Sequence, residues 1–296
     1  MAAKTSDKVC PSRLHVAAVQ MKFARTIDGN LRKIERFADQ GARRGADVVL
    51  LPECAVTGYG YDFATLRPGQ LRDALESVSA IARQHRLNLL VGTPVFARRK
   101  LYNCLVHFDR EGRAVYCYAK CHLTEMDRQW FTPGNAVALF AVDGVPVTAV
   151  ICHERRYPEL VRLAVMAGAQ ILFHPNAGMD PLAISRAKRG GRDGIAVRAF
   201  ENAIYYVFAN SVGPQGGGKF SAGDSKIVAP DERVLQLADN QHETLLDAEL
   251  DLGLATRVYP LRALSRPKFL APHWRKMLQA VRRQAAAATA LFDLPK

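Results

Sequence analysis

The 296-residue chain is predicted to fold as a single layered α/β domain, with helices covering both faces of its sheets and a basic helix appended. Three observations lead there. Short apolar runs alternate with stretches of helical periodicity, the pattern that builds α/β layers. Antiparallel pairs are mixed in, the strongest being VALFAV and VPVTAVIC joined through Asp143-Gly144, a hairpin signal. No internal repeat or low-complexity linker marks a point where the chain would divide.

In chain order, LHVAAVQ (14–20) reads as a buried strand. A helix from Asn30 to Arg44 follows, with Leu31, Ile34, Phe37 and Ala38 on one face. DVVLLPE (47–53) is a second buried strand, and a helix over 70–86 leads to NLLVGTPVFA, LYNCLVHFD and AVYCYAK (114–120), a strand meander turning at 110–112. A loop ending in FTPG (131–134) precedes the hairpin. Pro158 suits the first turn of a helix whose apolar face is Leu160, Leu163, Ala164 and Ala167 and whose stop is Gly168. AQILFHP, a helix over 192–203, IYYVFANS and short strands from Asp224 to Asp251 complete the pattern. HWRKMLQAVRRQAAAATALF then reads as a basic, Ala-rich helix. The expected division is an N-terminal extension over 1–13, one domain over 14–270 and a helical tail over 271–296.

With 49% hydrophobic residues the chain can fill a sizeable core. No run approaches the ~18 apolar residues of a membrane span, and MAAKTSDKVCPSR has no apolar signal region, so the expectation is a soluble, cytoplasmic protein with no membrane partner. Cys10, Cys54, Cys104, Cys117, Cys121 and Cys152 form no CxxC pair and read as free thiols, not as a disulfide framework or a zinc ribbon. The net charge of +13 raises the question of an acidic partner. Its clusters, at Arg186, Lys188, Arg189, Arg192 and Arg198 and after Arg262, have neither interleaved aromatics nor a helix-turn-helix pattern. A solvated basic surface is the preferred reading, without a nucleic-acid partner.

The stretch VICHERRYPEL concentrates the chemistry. Cys152 ends an apolar strand shortly before the helix opened by Pro158, so it should occupy a strand-to-helix turn that exposes its side chain and favours the thiolate. The alternative is a buried core thiol. His153 should point to the opposite side of the chain from its neighbour, which argues against a direct Cys-His pair. Cys-His-Glu in immediate succession also lacks the spacing that converges on a metal ion. The base must come from another strand. Glu53 closes DVVLLPE, where a carboxylate is costly unless paired or functional, and Lys120 closes AVYCYAK. Together the three side chains would make an amide-cleaving set: Glu53 moving the proton, Cys152 attacking, and Lys120 with a backbone N–H stabilising the oxyanion. Taken singly, Glu53 and Lys120 also fit a plain ion pair at a sheet edge.

LPECAVTGY (51–59), YAKCHL with WFTPG (118–134) and VICHERRYPE resemble, in order and spacing, three signature segments of the nitrilase, or carbon-nitrogen hydrolase, superfamily. VRAFENAIYYVFANSVG (197–213) and GDSKIVAPDERVL (223–235) extend the resemblance over nearly the whole chain. It implies a four-layer α-β-β-α sandwich, homodimerised through helices near the active site. It implies a Glu-Lys-Cys triad at Glu53, Lys120 and Cys152, no metal or organic cofactor, and a thioester from which ammonia or an amine has left. A second carboxylate is implied seven positions before Gly134, at Asp127, with Glu125 as the only nearby glutamate; either remains open.

The elbow CHERRYPE is similar to that of the N-carbamoyl-D-amino-acid amidohydrolases more than to the nitrile-cleaving branch. That likeness implies that Arg155 and Arg156 hold a substrate carboxylate, a task suited to planar guanidinium groups, and that His122 lines the pocket. Alternatively Arg156 is structural, paired within the elbow with Glu159. His153 would offer its backbone N–H to the oxyanion. Tyr59, Asn176 and Ala177 fall where such pockets are lined, although Asn176 equally fits an ordinary turn. The substrate expected is a small amide or ureido compound bearing a carboxylate. A nitrilase or acyl-transferring relative is the second reading, and a non-catalytic basic binding protein the third.

Overall fold

The computed structural model describes residues 11–187, 194–292 and 294–295. Cys10, the first ten residues, Lys188, Arg189, Arg192 and the predicted start of the helix at 192 lie outside the described residues. The first six-stranded sheet runs in the order β15 (Thr244–Asp251), β1 (Arg13–Gln20), β2 (Val48–Leu50), β3 (Asn88–Ala97), β4 (Lys100–Phe108), β5 (Ala114–Ala119). The second runs β14 (Val234–Leu237), β13 (Lys226–Val228), β10 (Tyr205–Asn210), β8 (Ile171–Asn176), β7 (Val145–Ala149), β6 (Phe140–Val142). In each sheet three neighbours are parallel, β1-β2-β3 and β7-β8-β10, and the flanking pairs are antiparallel.

Burial explains why the central strands read as continuous apolar runs. On β1, Val16 and Ala18 face a core shared with Val147, Ile171, Phe173 and Val207 of the second sheet, whereas Ala17 and Val19 pack with Ile34, Phe37, Leu75 and Val78 of helices α1 (Ile27–Arg43) and α2 (Pro68–His85). On the second sheet, Leu172 and Tyr206 turn away from that shared core towards α3 (Pro158–Ala167), α4 (Leu182–Ala187) lies farther along the chain, and Ile195 and Ala199 of α5 (Ile195–Asn202) join the outer layer. Strands buried on both faces have no polar alternation to display. The layer order is helix, sheet, sheet, helix, the four-layer sandwich implied by the resemblance.

Local signals set most boundaries. Thr26 caps α1, its hydroxyl accepting from Gly29 N at 3.1 Å, so the helix begins three residues before the expected Asn30. Pro158 opens α3 and Gly168, at φ 134°, stops it, both as expected. The second strand is shorter than DVVLLPE: the chain leaves the ladder after Leu51 N donates to Leu90 O at 2.8 Å. A small three-stranded sheet of β11 (Val212–Gly216), β12 (Lys219–Ala222) and β9 (Asp180–Pro181) was not anticipated from the sequence. After α6 (Val258–Ala263), the tail forms α7 (Ala271–Ala288), which packs chiefly against α3 and brings its end to β5 of the first sheet. Phe292 is buried edge-on against Tyr102 with ring centroids 5.5 Å apart, and Cys117 N donates to Thr289 Oγ1 at 3.2 Å. Ala114 N donates to Pro295 O at 3.2 Å. Among the described residues, no helix is long and apolar enough to cross a membrane.

Candidate active site

The strands named as carriers of chemistry end on one rim. β5 runs in the same sense as β2, and the parallel bridge between Met21 and Ser211 joins the ends of β1 and β10, so the carboxyl ends of both sheets meet there. This is where open parallel sheets place their ligands.

Two glycines let the chain reach that rim. A Cβ on Gly92 of β3 would stand 2.1 Å from Pro52 O and 2.6 Å from Glu53 Cα, so only a residue without a side chain lets the segment carrying Glu53 lie across β3. A Cβ on Gly134 would stand 2.1 Å from Ala119 O, while Gly134 N donates to Lys120 O at 2.8 Å. The glycine of FTPG thus fixes the exit of the strand that ends at Lys120.

Glu53 and Lys120 are fully buried and paired, with Nζ 2.8 Å from Oε1. Asn103 Nδ2 also donates to Oε1, at 2.7 Å, and Ala177 N donates to Oε2 at 3.0 Å. Lys120 reaches Asp127 Oδ2 at 2.8 Å. Asp127 is buried and its remaining capacity is filled by the Tyr59 hydroxyl and by the backbone N and hydroxyl of Thr124, each of the latter at 2.9 Å. Burial pushes Glu53 above the ordinary carboxylate range, an effect that the Lys120 charge opposes. Burial alone would lower Lys120, but the charges of Glu53, Cys152 and Asp127 outweigh it and hold the ammonium well above its usual value. Asp127, although buried, is held below its usual value by Lys120 and by the hydroxyl and N–H donors around it.

Cys152 stands at φ 52°, a left-handed conformation for a non-glycine residue, and opens the 3-10 turn Cys152–Arg156 that separates β7 from α3. Its thiol is half-buried beside a cavity of about 450 Å³. Burial, reinforced by the Glu53 charge, pushes the thiol up to about 12. Burial and charge here oppose the thiolate that the turn was expected to favour. Two buried carboxylates flank the single Lys120 ammonium and add to the effect of burial.

Glu154 is no base either. Fully buried, it accepts from Ile151 N at 2.8 Å, Cys121 N at 2.7 Å, His122 N at 3.2 Å and the Tyr118 hydroxyl at 2.9 Å, tying the Cys152 turn to the chain just after Lys120.

The structure sorts the remaining candidates. Tyr59, His153, Arg155, Arg156, Asn176 and Ala177 line the cavity. Asn176 Nδ2 donates to Asn210 Oδ1 at 2.8 Å, so this residue is pinned at the end of β8 and is not a free turn. Glu125 stands at the rim with its side chain 93% exposed, 3.8 Å from Arg128, whereas Asp127 is the carboxylate brought to Lys120. His122 does not line the cavity, contrary to expectation: its ring lies on Tyr157, centroids 3.5 Å apart and planes 6° from parallel. Arg156 and Glu159 are both exposed. Sequence reasoning missed Asn103, the polar residue within LYNCLVHF that supports both Glu53 and the Lys120 backbone, whose N donates to Asn103 O at 2.8 Å. A buried amide in an apolar strand was the available signal.

The profile of the family described as carbon-nitrogen hydrolase matches residues 15–259. A nitrilase from Pyrococcus abyssi is 30% identical over 233 residues, covering 77% of this chain and 85% of that protein. A 2-oxoglutaramate amidase from Bacillus subtilis is 28% identical over 237 residues, covering 77% and 87%. Among solved structures, a mutant of an amidase from Nesterenkonia AN1, of the nitrilase superfamily, superposes with a TM-score of 0.76 at 24% identity, over 89% of this chain and 98% of that one. The chain therefore belongs to the carbon-nitrogen hydrolase family.

Proposed function

We propose that this protein hydrolyses the C–N bond of a small linear amide or N-carbamoyl compound bearing a carboxylate, through a thioester on Cys152. The observation that carries the reading is the fully buried Glu53–Lys120 pair, 2.8 Å apart, beside a cysteine turned into a cavity. With the thiol pushed up to about 12, attack requires a base at the moment of bond formation. Glu53 takes the Sγ proton as sulfur bonds to the carbonyl carbon and the C=O electron pair moves onto oxygen. Lys120 Nζ and His153 N–H donate to that oxyanion. Collapse restores the carbonyl and breaks the C–N bond while Glu53 returns the proton to the departing nitrogen. A water then attacks the thioester, giving its proton to Glu53, and the second collapse releases the acid and Cys152, which regains the proton.

Asp127 holds Lys120: its acceptors are filled by Lys120, Tyr59 and Thr124, which leaves the substrate to other groups. Arg155 and Arg156 at the cavity wall support carboxylate recognition. The amidase names of relatives from Bacillus subtilis and Xenopus tropicalis favour amides, as does the Nesterenkonia amidase solved with butyramide. The nitrilase name of the Pyrococcus relative keeps nitriles in the test. Exposed apolar side chains on α5 and α6, Val197, Phe200, Tyr259 and Leu261, suit the implied homodimer.

Ureido acids, ω-amides of dicarboxylic acids, simple amides and nitriles should be screened for ammonia release, with the acyl adduct on Cys152 trapped by mass spectrometry. Release from amides or ureides, abolished in Cys152→Ala, is expected. Ammonia from nitriles alone would remove the amide reading, and residual turnover in Cys152→Ala would remove the thioester.

A further inference from the structure

His174 takes no part in the chemistry above, yet it is fully buried on β8 and bonded to the nucleophile's own backbone. Its Nε2 lies 3.0 Å from Cys152 O, and its Nδ1 lies 2.8 Å from the Tyr206 hydroxyl on β10. A carbonyl oxygen only accepts, so Nε2 must carry the hydrogen. Burial, with Arg155 and Lys120 nearby, holds the imidazole well below its usual value and therefore neutral. Nδ1 is then a lone pair, and the Tyr206 hydroxyl donates to it. The hydrogen bonds run in one direction, from Tyr206 through His174 to the carbonyl of Cys152. The Phe208 ring, 4.8 Å from that of His174, closes one side.

The carbonyl of Cys152 and the N–H of His153 belong to one planar peptide unit and point in opposite directions. Fixing one fixes the other. The residue that carries this carbonyl also sits at φ 52°, which an L-residue does not hold without support. We propose that His174, set in one tautomer by Tyr206, is a positioning residue that aims the His153 N–H at the oxyanion by holding the Cys152 carbonyl on the other side of the peptide plane. This rests on the thioester reading.

The test compares His174→Gln, which keeps an N–H donor at the same reach, with His174→Met, which is similar in size and has none. Steady-state kinetics on an accepted amide is set beside the rate of Cys152 alkylation by iodoacetamide, a displacement that forms no oxyanion. His174→Met should lower kcat by ~10²–10³-fold, the loss typical for one oxyanion donor, with KM and alkylation unchanged. His174→Gln should recover to within about tenfold of wild type. Tyr206→Phe, which leaves the imidazole but frees its tautomer, should lower kcat several-fold with unchanged alkylation, and it decides the matter if His174→Met does not fold. Wild-type kcat in His174→Met, or in Tyr206→Phe when that variant decides, overturns the proposal. So does a fall in kcat matched by an equal fall in alkylation, which would mean that His174 serves the thiol or the fold. Cys152→Ala, measured in parallel, separates the two levels. If it stays active the thioester reading falls, and this inference with it; if it is inactive while His174→Met matches wild type, only the role of His174 falls.

Discussion

As the proposed base, Glu53 must be ionised to accept a proton, and its folded value is raised from 4.5 by burial. Protonation removes the base, so kcat/KM should fall as pH drops through that raised value, giving an acid limb above 4.5. The thiol is pushed up to about 12, so the profile should show no inflection near the ordinary thiol value of about 8.5. An inflection there would mean that a standing thiolate is the nucleophile. Glu53→Gln keeps size and hydrogen bonding and should cost ~10²–10⁴ in kcat. Arg155→Ala should raise KM for carboxylate-bearing substrates by at least about tenfold and spare uncharged amides, since a charge-assisted pair contributes ~1.5–3 kcal/mol. Equal losses on both substrate types would remove Arg155 from carboxylate recognition. At this scale the three proposed reactive side chains were legible because each follows an apolar strand, where a charge such as that of Glu53 or Lys120 is costly unless paired. The choice between Asp127 and Glu125 was not legible. They stand two positions apart, and it is the short 3-10 turn Asp127–Gln129 that turns one inward and leaves the other in solvent. His174 was hidden in the same way, read as part of a strand when its partners are a carbonyl and a phenol far off in sequence.

Among elements, β3 and the exit of β5 have the least tolerance. Gly92→Ala and Gly134→Ala each place a methyl within 2.1 Å of a backbone oxygen, in the segments that deliver Glu53 and Lys120. Each should destabilise by ~1–3 kcal/mol, read as a lower urea midpoint, and should lower kcat more than KM because the displaced backbone carries a group proposed to react. Unchanged kcat in a destabilised Gly92→Ala would show that the strain relaxes away from Glu53. Strand order and helix positions were readable from apolar runs and from caps such as Pro158 and Gly168. Which face each strand turned to which layer was not, because residues buried on both sides leave no period of two. The small sheet of β9, β11 and β12 escaped notice for a different reason: strands of two to five residues, rich in Gly and Pro, carry no periodicity.

On the scale of the whole molecule, the apolar surface of α5 and α6 bears on assembly. If the protein dimerises through it, as proposed, Phe200→Glu with Tyr259→Glu should shift sedimentation to the 32.7 kDa monomer without unfolding it; a dimer that persists in the variant would place the interface elsewhere. The helical tail packs along α3 and lays its last residues over β5 of the first sheet. Deleting 271–296 strips Phe292 from Tyr102 and bares the outer strand β5, whose N–H groups at Ala114 and Cys117 the tail otherwise occupies. Light scattering should then report aggregation, the usual fate of an unprotected sheet edge. A soluble, monodisperse truncation would show that the strand is guarded in another way. The opposite edge is closed by β15 pairing with β1, so both margins of a sheet otherwise built from residues 13–119 are sealed by segments beyond residue 243. On the ribosome, the first sheet must therefore wait with two open margins while the second is being translated. The burden of keeping this enzyme soluble falls on the interval before its first half can close.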